Sequence, residues 1–178
     1  MNRSRDKVRC ALNHQNAGSI PVDFGSTAVT GIHCRIVEAL RNYYGLAPRP
    51  VKIVDAFQML GEIDAELAEK IGVDCIGIGG PKDIFDLDTT CMHEQTTPWG
   101  QRVLVPEAMD LTPDMRGDVY VYAGGDQNYP PSAVMPKGCY FINAIERQQP
   151  IEEDRLDPED NVEEFGLLTE NDLAYYCA

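Results

Sequence analysis

Apolar positions in the first half of the chain recur at helical spacing, and glycines punctuate them. Val8, Ala11 and Leu12 follow Ser4, a capping residue, and predict a helix over residues 4–15 that Asn16-Ala-Gly-Ser breaks. The short apolar run Ile20-Pro-Val-Asp-Phe-Gly25 reads as a first strand and its turn. After the small polar stretch Ser26–Thr30, a stripe of Ile32, Ile36, Val37, Leu40 and Tyr44 predicts a second helix, with Gly45 at its carboxyl cap. Pro48 and Pro50 mark a loop, and Val54–Leu60 fits strand or helix equally. Asp64–Ile71 is helical in pattern and closes at Gly72. Val73-Asp-Cys-Ile-Gly-Ile-Gly-Gly80 then reads as a buried strand entering a glycine turn. Ile20–Phe24 and Val73–Ile78 are therefore expected to pair in parallel through a right-handed crossover.

The pattern changes after residue 90. Three runs bounded by Gly and Pro, at 96–106, 117–125 and 137–142, are rich in β-branched and aromatic residues and predict an antiparallel meander inserted into the α/β order. Thr169-Glu-Asn-Asp172 resembles a capping box and opens a helix in which the sequence stops, so the chain is expected to be cut inside an element. The organisation expected is α/β units over 1–90, a strand-rich insertion over 91–145, and an acidic segment with the start of a helix over 146–178.

Composition narrows the function classes. A length of 178 residues with 43% hydrophobic content suits one domain with its own core. No run approaches the roughly 20 apolar residues of a membrane helix. The opening MNRSRDKVRCALNHQ has no apolar signal region, which places the chain in the cytoplasm. Six dispersed cysteines without a CxxC pair read as reduced thiols, several of them buried. The net charge of −14 argues against nucleic acid and anionic membranes as partners, and the acidic run Glu146–Glu164 reads as a solvated surface.

The first candidate for chemistry is the strand-to-helix turn Asp23-Phe-Gly-Ser-Thr-Ala-Val-Thr-Gly-Ile-His33. Loops after the carboxyl ends of strands form active sites in α/β proteins. Asp23, Ser26, Thr27 and His33 are the candidate substrate-binding residues, against a reading of the same segment as turn and helix cap. Gly77-Ile-Gly79-Gly80 lacks the pattern of a nucleotide loop and reads as a tight turn. Cys91-Met-His93 has two possible metal ligands but no third at recognisable spacing, so no metal site is assigned. Glu62 and Asp64 serve the start of the following helix.

Arg9-Cys-Ala-Leu-Asn-His-Gln-Asn-Ala-Gly-Ser-Ile-Pro-Val-Asp-Phe-Gly resembles the opening of the uroporphyrinogen decarboxylase superfamily, in which a short helix leads through a turn into an (Ile/Val)-Pro-Val strand. Asp55-Ala-Phe-Gln-Met-Leu-Gly, Gly72-Val-Asp-Cys-Ile-Gly, Trp99–Val105 and Met135-Pro-Lys-Gly-Cys-Tyr-Phe extend the resemblance along the chain. It covers about the first half of a family member and is closer to the methyltransferase-like branch. The resemblance implies the amino-terminal part of a (β/α)₈ barrel, a fold that needs about 250 residues. The superfamily's decarboxylases carry an arginine-rich segment after the first strand. Here Phe24-Gly-Ser-Thr-Ala-Val-Thr-Gly has none, which weakens carboxylate recognition. The methyltransferase branch implies transfer of a methyl group between a corrinoid cofactor and a thiol activated by zinc. Its zinc ligands, a His-x-Cys and a distant Cys, are expected downstream of this chain, with a corrinoid protein as partner. Tetrapyrrole decarboxylation and a non-catalytic binding domain are the alternatives.

Overall fold

The computed structural model describes residues 3–147, 152–157 and 168–177. They form four α-helices, α1 (Arg3–Leu12), α2 (Cys34–Tyr43), α3 (Ala65–Ile71) and α4 (Glu170–Cys177). The strands are β1 (Val51–Asp55), β2 (Leu60–Gly61), β3 (Met92–Thr96), β4 (Arg102–Pro106), β5 (Val119–Val121), β6 (Ala133–Met135) and β7 (Asn143–Ala144). A mixed sheet has the order β2-β1-β4-β3, and an antiparallel sheet has the order β5-β6-β7.

The described residues do not show the (β/α)₈ barrel architecture that was expected: they hold four helices and two small sheets, one mixed and one antiparallel. A barrel is built from successive parallel strands, each joined to the next by a helix. Here the only parallel pair among the described strands is β1 with β4, and β2, α3 and β3 all lie between them along the chain, so the two are not successive strands of a simple βαβ unit. The two segments expected to found the parallel sheet enter no ladder. Pro21 has no N–H to give, and the Val22 N–H donates to the Asp74 carboxylate. The Asp74 N–H donates to the Val22 carbonyl, so Ile20–Phe24 and Val73–Ile78 meet at one point only. Ile20 and Ile76 are 86% and 91% exposed, against the expectation that these runs are buried.

Helices fare better because their signals are local. Asp64 caps α3 by accepting from the Glu66 and Leu67 amides, a bond worth about 1 kcal/mol. Gly72 ends the helix at φ 83°, where a β-carbon is disfavoured. Thr169 and Asp172 exchange hydrogen bonds at the start of α4, the reciprocal geometry of a capping box. α2 turns a different face inward from the one expected: Cys34, Val37 and Arg41 are buried, while Ile36 is half exposed. Arg41 is held inside by Asp64, Glu66 and the Ala47 carbonyl, so a charged residue occupies a core position.

The strand-rich half divides between the two sheets instead of forming one meander. β3 and β4 make a hairpin of five paired positions that joins the sheet of β1. β5 pairs with β6, and the run at 137–142 is a loop leading to β7 rather than a strand. One apolar cluster unites the parts: Val51 and Ile53 of β1, Val103 and Val105 of β4, and Val119 and Met135 of the second sheet all belong to it. Cys34 alone of the six cysteines is buried, where several were expected to be. Burial pushes its thiol up to about 12. Most of the acidic run Glu146–Glu164 lies outside the described residues.

Candidate functional site

The glycine-rich segment after α3 lies against the loop that follows Asp23. A β-carbon at Gly77 would sit 1.9 Å from the Ser26 carbonyl oxygen, so only glycine permits this approach. Between these two segments, β1 and the end of α3 lies a cleft of about 490 Å³. Ser26 and Thr27 line one wall, Cys75 and Gly77 the other, and Lys52 and Asp55 come from β1. Tyr175 of α4 reaches the rim, its hydroxyl 3.4 Å from the Gly80 carbonyl.

Asp23 does not line the cleft but shapes the loop beside it. Its Oδ1 accepts from the Ser26 amide at 3.3 Å and from the Thr30 hydroxyl at 3.2 Å, and the Gly25 amide donates to the Thr30 carbonyl. His33 lies elsewhere, at the amino end of α2, where its ring packs among Trp99, Tyr140 and Phe141. Two of the four residues singled out in the sequence thus face the cleft, one supports its loop and one belongs to a separate aromatic cluster.

The cleft has charged groups that the sequence did not single out. Asp83 lines it, with Oδ1 accepting from the Phe85 and Leu87 amides. Burial raises its carboxyl above the ordinary range and repulsion from Asp55 and Asp86 adds to this, against the lowering effect of the two amide bonds. Glu62 and Lys82 complete the charged lining, and Lys82 is paired with Asp86 at 2.6 Å. Among the described residues three carboxyl groups, Asp55, Glu62 and Asp83, therefore stand against two ammonium groups, Lys52 and Lys82, and no arginine lines the cleft. In the sequence Asp55 stands out only within the resembling stretch 55–61, and Glu62 only beside the start of α3. Asp83 has no such signal, because the fold alone brings it there.

Metal ligation finds no support in the donor geometry. Among the described residues no three His, Cys, Asp or Glu side chains converge as a metal site. Cys91 is exposed, and His93 accepts from the Gln95 amide at 2.8 Å with Glu107 at 3.8 Å from its other nitrogen. Two smaller hollows exist: one beside Met109 and Tyr122, of about 180 Å³, and one beside Arg41 and Arg49, of about 140 Å³. Among the described residues no helix is long and apolar enough to cross a membrane. No known family, no characterised protein and no solved structure matches this chain.

Proposed function

We propose that the cleft binds the small-molecule substrate of a cytoplasmic enzyme related to the uroporphyrinogen decarboxylase superfamily, of the branch that moves a methyl group between a corrinoid and a thiol. One observation carries this reading. Three of the stretches that resemble the superfamily, at 20–25, 55–61 and 72–77, are far apart in sequence and all contribute to the lining of the cleft. Residues shared for packing alone have no reason to gather round a hollow.

The charge of the lining favours methyl transfer over decarboxylation. A tetrapyrrole with many carboxylates needs guanidinium forks, and this wall offers three carboxyl groups and no arginine. A small thiol suits the mixed surface better. Among the described residues Lys52 has no ion-pair partner, and it can meet an anionic end, while Ser26 and Thr27 offer hydroxyls. The described residues do not assemble a zinc site, so no chemical step is assigned to a metal on this chain. Its part in the reaction is to hold and orient the substrate, with a corrinoid protein as the macromolecular partner.

The test is titration of the chain with 3-mercaptopropionate and, separately, with uroporphyrin, followed through the amide signals of Ser26, Thr27, Gly77 and Gly79. Shifts with the thiol and none with the porphyrin are expected. Shifts with the porphyrin alone would move the reading to the decarboxylases. A folded chain whose cleft amides respond to neither probe would remove the substrate-binding reading and leave a domain with another role.

A further inference from the structure

His33 uses both ring nitrogens, and it uses them in opposite senses. Nδ1 accepts from the Arg35 amide at 3.2 Å and so caps the amino end of α2. Nε2 lies 3.0 Å from the Tyr140 carbonyl oxygen, which can only accept. The pair of contacts fixes the neutral ring with its proton on Nε2. The same ring packs edge-on to Phe141 and Tyr140, with centroids 5.4 and 6.2 Å away, and lies 5.6 Å from Trp99. Arg35 covers the outer face of Tyr140 at 4.7 Å. One imidazole therefore joins three segments: the start of α2, the β3–β4 turn and the loop between β6 and β7.

We propose that His33 is a proton-operated clasp that releases the loop around Tyr140 from the start of α2 on acidification. A second proton has only Nδ1 to occupy, and a protonated Nδ1 no longer accepts from Arg35. The charged ring would then stand at the positive end of α2 and against Tyr140, whose ring already carries the Arg35 guanidinium, with no anionic partner at contact distance among the described residues. The titratable and charged groups on the elements packed round the ring are Cys34, Arg35 and Glu38 on the first turns of α2 and Lys137, Cys139 and Tyr140 on the loop. The β3–β4 turn contributes Trp99 and Gln101, which are uncharged. The segment at 31–33 continues from the cleft loop, and His33 bridges Leu60 of β2. Opening the clasp thus also loosens the downstream anchor of residues 24–30.

Trp99 is the only tryptophan, so its emission reads the clasp directly. The experiment follows Trp99 fluorescence and amide exchange in the 178-residue chain between about pH 8 and about pH 5, the range over which histidine charge ordinarily changes. On acidification the emission should shift to the red. Exchange at Arg35 and at 139–141, corrected for its intrinsic pH dependence, should rise at least about fivefold, the equilibrium factor of one lost capping bond. The variant His33→Asn retains a side-chain oxygen for the cap at every pH and should show neither change. His14 and His93 remain in it as internal controls. An acid transition of the same size in His33→Asn, or none in the parent chain, would overturn the proposal. A ring-nitrogen spectrum at neutral pH with the proton on Nδ1 would do so independently of any variant.

Discussion

The approach of Gly77 to the Ser26 carbonyl leaves no room for a methyl group. Gly77→Ala should push the two walls of the cleft apart at a cost of about 1–3 kcal/mol, the usual penalty of overpacking. A thermal melt of the variant checks the cost, and exchange at Ser26 and Thr27 checks where it falls. Gln101 is a second position at which one side chain serves several groups. Its Oε1 accepts from Trp99 Nε1 at 3.0 Å and from the Cys34 thiol at 3.3 Å, and its Nε2 donates to the Cys34 carbonyl at 3.0 Å. Gln101→Leu keeps the bulk and leaves those partners unpaired, which should lower stability by about 2 kcal/mol in denaturant unfolding. Neither position stands out in the sequence. Gly77 reads as one more turn glycine and Gln101 as a polar residue before a strand, because what each does depends on a segment far along the chain.

Elements were legible where their signals are short-range. The caps of α3 and α4 and the glycine after α2 identify those helices within a few residues. Strands were legible only in part: β4 and β5 fall inside the runs read at 96–106 and 117–125, but the apolar runs Ile20–Phe24 and Val73–Ile78 lie outside the sheets, whereas the polar Met92–Thr96 is a strand at an edge. An edge strand has one face and one side wet, so hydropathy does not mark it. The cleft was partly legible for the same reason: Ser26 and Thr27 sit in a loop of recognisable composition, and Asp83 does not. α1 is tied to the rest through Asp74, which takes a bond from Lys7 at 2.5 Å and another from the Val22 amide. The Lys7 ammonium, helped by that amide, holds the Asp74 carboxyl down to about 2. A depressed carboxyl stabilises the folded form above its ordinary value near 3.8, and the contribution is lost as pH falls through about 2. α1 should therefore stay docked at pH 4. Asp74→Ala should release its amides to fast exchange at neutral pH while those of α2 keep their protection.

Over the whole molecule, apolar surface is distributed unevenly. The shared core is well covered, yet Ile76, Ile78 and Ile84 are 91%, 77% and 70% exposed along one stretch of chain. A patch of this kind favours association. The chain should sediment as a concentration-dependent mixture, and Ile76→Asp with Ile78→Asp should shift it towards monomer without lowering its melting temperature. A single species across a wide range of concentrations would show that the patch is inert.

The sheet order β2-β1-β4-β3 also sets the sequence of events by which the chain reaches its native form. β3 and β4 are neighbours along the chain and can zip together within microseconds. The pairing of Val51 with Val103 must close a long loop first, and the entropy of that closure is spent before any contact repays it. The hairpin is therefore a ready-made template on which β1 arrives late. Substitutions at Val51 or Ile53 should speed unfolding and hardly slow folding, while substitutions at Val103 or Val105 should slow folding itself.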